Sequence, residues 1–164
     1  MATDEMVTID IHRFKETEAK EISDMIQHSI MEMNVGDYDM EVLMDQVKFY
    51  TPDRVKQLAS MGHTYVATEN KRVVACGSIV APEDQPETAE IRSVFVMPED
   101  TFRGIGRAIM TALETDEYYQ NAKHIVVEAS TSASDFCKKL GFNYVCGAPV
   151  FENRDHSRME KFKD

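Results

Sequence analysis

The chain is poor in the features that would fix its chemistry at a glance. Its 164 residues contain three cysteines, Cys76, Cys137 and Cys146, and no CxxC pair. That spacing argues against a zinc ribbon or a disulfide framework and suits free thiols in a reducing compartment. No apolar run approaches the ~18 residues needed to span a bilayer, so no membrane partner is expected. The first residues, Met1 to Lys15, lack the basic and apolar regions of a secretory signal, which makes a cytoplasmic location the expectation. His28, His63 and His124 stand alone without metal-ligand spacing, so no metal is expected.

Positive charge is also scarce. There are 18 Lys and Arg against 29 Asp and Glu, a net of −11. Nucleic acid is excluded as a partner on this ground, because phosphate binding needs a basic face. The deficit is uneven: residues 1–56 hold 13 acids and 6 bases, and the remainder holds 16 acids and 12 bases. The first third therefore carries −7 and would draw a cationic ligand. Internal repeats, linkers and low-complexity stretches are all lacking. A single domain over 1–164, long enough to bury a real core, is the expectation.

What is present is a regular alternation of patterns. Val7–Ile11 alternates as a strand, and Ile22, Met25, Ile26, Ile30 and Met33 fall at helical spacing within Glu16–Met33. After a break at residues 34–38, a helix is predicted over Met40–Tyr50. A shorter one is capped by Thr51-Pro52 and ends near Ser60. His63–Thr68 and Arg72–Val80 read as a hairpin around Glu69-Asn70-Lys71. A strand over Thr88–Val96, a helix from Gly104 to about Asn121 and a strand over His124–Ala129 follow. Ser132, with Asp135 as capping-box partner, is predicted to open a helix that Gly141 stops. Phe142–Cys146 and Arg158–Phe162 read as closing strands.

The most informative stretch is Ala89–Ile109, where a strand passes Val94-Phe95-Val96 and enters a helix through Arg103-Gly104-Ile105-Gly106-Arg107. First-turn N–H groups of a helix lack intrahelical partners and carry roughly half a positive charge between them. A strand, a glycine turn and a helix start together suit a pyrophosphate. A dinucleotide fingerprint fits poorly, because Ile109 stands where its third glycine belongs.

The order of elements, together with Glu90–Leu113 and the block Ala133-Ser134-Asp135-Phe136-Cys137-Lys138-Lys139-Leu140-Gly141-Phe142, resembles the GNAT superfamily of acyl-CoA-dependent N-acyltransferases. The resemblance spans about Val7 to Lys163. It implies an α/β (α+β) fold: a mixed, mostly antiparallel sheet of 6–7 strands, flanked by about four helices and splayed between the fourth and fifth strands. The family's phosphate motif falls on Thr101-Phe102-Arg103-Gly104-Ile105-Gly106. Backbone amides from Phe102 to Arg107 would then cradle the CoA pyrophosphate, and Arg103 and Arg107 would add charge. Val94, Phe95 and Val96 would pair their backbone with the pantetheine arm, and Ser130 would approach CoA. Thr101 replaces the usual glutamine or arginine, and Cys137 replaces the tyrosine that many members use to protonate the leaving thiolate. Dimers are common in the family, so a homodimer is one expectation.

Acetyl transfer to an amine needs a base, oxyanion stabilisation and a departing thiolate. An ammonium with a pKa near ~10 must first lose a proton. Glu90, 13 residues before Arg103, is the candidate base; the histone acetyltransferase branch carries its catalytic glutamate at this spacing. Strand alternation puts Glu90, Arg92, Val94 and Val96 on one face, and Glu90 to Val96 spans ~20 Å. An ion pair with Arg92 at a solvated strand start is the alternative role for Glu90. A backbone N–H near Val94 is the candidate oxyanion donor. Cys137 and Tyr144 are candidate acids, each with a packing role as the alternative. The first two helices form one wall of the acceptor site in the family, which implicates Asn34, Asp37 and Tyr38. The expected activity is acetylation of a small, cationic primary amine with acetyl-CoA as co-substrate. A non-catalytic acyl-CoA-binding module and a protein or peptide acetyltransferase are the alternatives.

Overall fold

The structure, a computed structural model, describes residues 9–34, 39–100, 103–145 and 156–163, with the side chains of residues 33, 34, 130–132 and 156 outside that description. Its centre is a seven-stranded sheet in the order β1-β2-β3-β4-β5-β7-β6. The strands are β1 (Ile9–Arg13), β2 (His63–Glu69), β3 (Arg72–Val80), β4 (Thr88–Val96), β5 (His124–Ser130), β6 (Asn143–Tyr144) and β7 (His156–Phe162). All neighbours are antiparallel except β4 and β5, which run parallel. The helices are α1 (Ala19–Asn34), α2 (Met40–Phe49), α3 (Pro52–Ser60), α4 (Ile105–Glu114), α5 (Glu117–Asn121) and α6 (Thr131–Lys139).

Two cores flank the sheet, as its strand periodicity requires. Ile22, Met25, Ile26 and Ile30 of α1 join Leu43, Val55, Val66, Val73 and Cys76 on one face. Ile105, Ile109, Met110 and Leu113 of α4 join Ala75, Ile79, Ala89, Ile91, Ile125, Val127 and Met159 on the other. Each fully buried Ile or Leu contributes about 1.5–3 kcal/mol. The 3.6-residue spacing of α1 and α4 is thus used as the sequence implied.

Local signals placed several boundaries well. Asn70 (φ 51°) and Lys71 (φ 65°) form a two-residue left-handed turn between Glu69 and Arg72, which pair across the hairpin. Thr51 caps α3 by accepting from the Arg54 N–H, with Pro52 in the first turn. Gly141 (φ 99°) ends α6 in a Schellman motif: its N–H donates to Lys138 O, and the Phe142 N–H donates to Cys137 O.

Three expectations are corrected. The predicted helix from Gly104 to Asn121 is two helices, because Asp116 leaves the helical region (ψ 145°) and caps α5 through the Tyr118 N–H. The same carboxylate accepts from the Tyr65 hydroxyl at 2.7 Å and meets His63 Nδ1 at 2.8 Å, so it anchors the break to β2. Ser132 does not open α6; the helix begins at Thr131, directly on the end of β5. Six α-helices among the described residues exceed the four expected. The Asp116→Ala variant leaves a half-buried tyrosine and histidine without their acceptor and uncaps α5. A loss of about 2–4 kcal/mol in denaturant unfolding is expected.

Candidate active site

The parallel ladder between β4 and β5 is short. It covers Thr88↔His124 to Ile91↔Val127 and then stops, although both strands continue. The cause lies in β4. Ser93 sits at φ 54°, and the β3–β4 register shifts between Cys76 and Ser78, so Gly77 faces both Ser93 and Val94. This is a β-bulge, which bends its strand and breaks the ladder. Ser93 and Val94 have Cα partners on neither neighbouring strand. Main-chain groups without a ladder partner thus border the opening, where a peptide-like ligand can pair with them.

The bulge also reverses the alternation of β4. Ala89 and Ile91 face the α4 side, and so do Val94 and Val96; Phe95 faces the α1 side. Glu90 and Arg92 therefore do not share a face with Val94 and Val96, contrary to the simple strand count. They lie on the α1 side, whereas Val94 and Val96 meet α4. Glu90 holds Arg92 with both carboxylate oxygens, at 3.0 and 3.1 Å. Tyr50 at the end of α2 reaches the same region, its hydroxyl 3.1 Å from Ser93 Oγ.

Beside the opening, α4 starts at Gly104, whose φ of 82° suits glycine. The first closed turn is the bond from the Ala108 N–H to Gly104 O, so the amides of Ile105, Gly106 and Arg107 precede it. Gly106 keeps this end slim, because a Cβ there would lie 3.5 Å from Phe136 Cζ and 3.6 Å from Val96 Cγ2. The Arg103 guanidinium is not turned to a ligand. It pairs with Glu69 at 2.6 Å and with Asp100, whose other oxygen accepts from Arg72 at 3.1 Å. Asp100 is buried, so this charge cluster ties the turn before α4 to the β2–β3 hairpin. Arg107 is exposed, with no ion pair among the described residues.

Cys137 is buried on α6, and burial pushes its thiol up to about 11. Such a thiol stays protonated at neutral pH and is a weaker acid than an ordinary thiol. Passing its proton to a thiolate is uphill, and a nucleophilic thiolate is scarce. Cys76 is likewise buried and pushed up to about 12. Tyr144 on β6 lies partly buried on the α6 side, with Lys138 Nζ 4.8 Å from its ring centre. Thr101, Phe102, Asp37 and Tyr38 lie outside the described residues, as do the side chains of Asn34 and Ser130. No group of three or more His, Cys, Asp or Glu among the described residues could hold a metal ion. No helix among them is long and apolar enough to cross a membrane. Sequence reasoning missed Ser93 and Tyr50, since neither a bulge nor a long-range hydroxyl contact has a local signature.

Sheet order, parted central strands and a glycine turn at a helix start are features of an acetyltransferase-type α/β fold. Solved structures agree. PaiA N-acetyltransferase from Thermoplasma acidophilum, in complex with coenzyme A, aligns with a TM-score of 0.78 at 14% identity, covering 95% of this chain and 99% of that one. A GCN5-related N-acetyltransferase from Rhodopseudomonas palustris gives 0.75 at 20% identity, over 95% and 96%. Diaminobutyrate acetyltransferase EctA from Paenibacillus lautus, in complex with L-2,4-diaminobutyric acid and coenzyme A, gives 0.61 at 13% identity, over 95% of both chains. No curated protein matches the sequence. The acetyltransferase (GNAT) domain model matches residues 34–162, and the chain belongs to that family.

Both buried thiols predict an alkaline weakness. The unfolded thiols ionise near 9.0 and the folded ones only near 11 and 12. The unfolded state therefore sheds protons first, and stability falls as pH rises through this window. A loss of up to about 1 kcal/mol per thiol per pH unit is expected, and Cys137→Ala should flatten the slope measured by chemical denaturation between pH 9 and 11.

Proposed function

We propose that this protein is an acetyl-CoA-dependent N-acetyltransferase acting on a small, cationic primary amine, with residues 1–164 as one catalytic domain. The observation that carries the reading is the bulged end of β4. It leaves two consecutive residues without a ladder partner near the first-turn amides of a helix start, in a chain of the GNAT acetyltransferase family. The amides of Ile105, Gly106 and Arg107 take the pyrophosphate, a role the family motif also assigns to Thr101 and Phe102. The main chain of Val94, Phe95 and Val96 pairs with the pantetheine amides, and the chain near Ser130 borders the same opening from β5. The Arg107 side chain supplies charge to the phosphates. Arg103 contributes by bracing the turn, since its guanidinium is already shared between Glu69 and Asp100.

The acceptor approaches from the α1 side, where Glu90 lies. Glu90 releases one oxygen from Arg92 and takes a proton from the ammonium, directly or through a water. The neutral nitrogen attacks the thioester carbonyl, forming the N–C bond, and the carbonyl oxygen gains negative charge. The Val94 amide donates to that oxygen. The attacking nitrogen gives its second proton to solvent water, the carbonyl re-forms, and the C–S bond breaks with the thiolate leaving on the electron pair. Tyr144 is the better-suited proton donor to it, because burial makes the Cys137 thiol a poor one. Direct attack in a ternary complex gains its rate from positioning and needs no acyl-cysteine.

The charge of residues 1–56, −7 from 13 acids and 6 bases, favours a cationic acceptor near Asn34, Asp37 and Tyr38. The diaminobutyrate bound by EctA is an acceptor of this kind. The same charge suits a basic peptide as the second reading. A cytoplasmic enzyme, with a homodimer as its assembly, completes the proposal.

Thiol release from acetyl-CoA with a panel of amines, basic peptides and anionic acceptors tests the reading. Turnover with cationic amines is expected, whereas turnover only with anionic acceptors contradicts it. The Glu90→Gln variant should lose at least about tenfold in kcat and the acidic limb of its pH profile. An unchanged profile removes Glu90 from the role of base.

A further inference from the structure

Among the described residues, four non-glycine residues adopt positive φ: Asn70, Lys71, Glu87 and Ser93. The first three occupy turns or loops, and Ser93 alone lies inside a strand. A left-handed serine costs on the order of 1 kcal/mol, so its surroundings must hold it there. Those surroundings converge on it from two elements. The Cys76 thiol on β3 donates to Ser93 O at 3.5 Å, and burial keeps that thiol protonated and able to donate. Tyr50 meets Ser93 Oγ at 3.1 Å.

Tyr50 is itself fixed at both ends. Its carbonyl accepts from Ser23 Oγ at 2.6 Å and from Gln27 Nε2 at 3.0 Å, both on α1. Its ring packs edge-on against Phe95 at 5.3 Å and against Phe49 at 4.9 Å. A small cavity of about 20 Å³ lies between α1, α3 and the sheet at this point, bordered by Tyr50, Thr64, Ser78 and Ser93. Ile22, Ile26, Val55 and Leu58 also line it, and the lining is mostly apolar.

We infer that Tyr50 is a positioning residue for the transfer reaction: through Ser93 it locks the β4 bulge and so aims the Val94 amide at the thioester oxygen. The inference rests on the function proposed above and adds a residue to it. The chain of contacts is continuous, from Ser23 and Gln27 of α1, through Tyr50, to the residue whose conformation opens the sheet. Tyr50 touches no reacting atom. Its hydroxyl holds a backbone shape, and a transition-state donor misplaced by a fraction of an ångström loses much of its effect. Substrate binding elsewhere along β4 and α4 is left intact, so the effect falls on kcat rather than on KM.

The test uses Tyr50→Phe and Ser93→Ala, each of which removes one hydroxyl and keeps the packing, together with the double variant. In the full-length protein, kcat should fall by about tenfold or more in either single variant, with KM for acetyl-CoA changed less than about twofold. The double variant should be no slower than the worse single one, because both remove the same contact. Amide hydrogen exchange over residues 91–96, read on the protein without ligand, should accelerate by about tenfold in Tyr50→Phe. Unchanged exchange overturns the lock whether or not any acceptor has been found. Accelerated exchange with unaltered kcat, or with losses confined to KM, overturns its role in positioning. Wild-type protein that takes up no CoA refutes the function proposed above, and the exchange readout still judges the lock.

Discussion

The structure depends on a single interruption. Parallel strands in a closed sheet normally pair along their length, and β4 and β5 pair over only four residues before β4 bulges at Ser93. The proposed function rests on the resulting opening. It borders residues of β4 without a ladder partner, and the two sides of the sheet beside it carry different chemistry. Val94 and Val96 present an apolar surface towards α4, whereas Glu90 and Arg92 present charge towards α1. A ligand with an apolar, amide-bearing arm and an anionic tail fits the first side. The proposed amine acceptor takes the second, beside the Glu90–Arg92 pair. The two reactants can thus approach from opposite faces and meet where the strands part.

Electrostatics reinforce this division. Acidic residues dominate the overall charge, yet the turn into α4 contains a buried carboxylate, Asp100, held by two arginines. That cluster leaves little side-chain charge for phosphates. Anion binding here therefore falls mainly to the backbone, with Arg107 as the exposed cation. The thiols are likewise structural. Cys76 donates to the bulge and Cys137 packs in the core, and both stay protonated at neutral pH because burial disfavours their thiolates.

Much of this was legible in the residues. Helical spacing in α1 and α4, the Thr51-Pro52 cap, the Gly141 stop and the Gly104–Gly106 turn each rest on local physics, and each signals its element. The family resemblance supplied the mixed, mostly antiparallel sheet and the parting of the fourth and fifth strands. What escaped was non-local. Ser93 carries no mark of a left-handed conformation, and its consequence, the reversed alternation that separates Glu90 from Val94, cannot be read from a strand count. Asp116 looked like one more polar residue on a helix until β2 supplied the histidine and tyrosine that hold it. Arg103 read as a phosphate ligand because its carboxylate partners, Glu69 and Asp100, are recognised only once the hairpin folds beside it.

The central claim is that backbone at a bulged strand end and a glycine-bearing helix start holds CoA. Calorimetric titration of CoA into the wild-type protein and into Gly106→Ala tests it most directly. An added methyl at residue 106 makes only ordinary contacts with Phe136 and Val96 and raises helix propensity, so thermal stability should not fall. If CoA lies over this turn as proposed, the methyl, packed beside Val96 of the parted strand, narrows its path. The account predicts saturable CoA binding by the wild type, weakened by about tenfold or more in Gly106→Ala at undiminished Tm. No uptake by the wild type at millimolar CoA, or equal affinity in the two proteins, would contradict it.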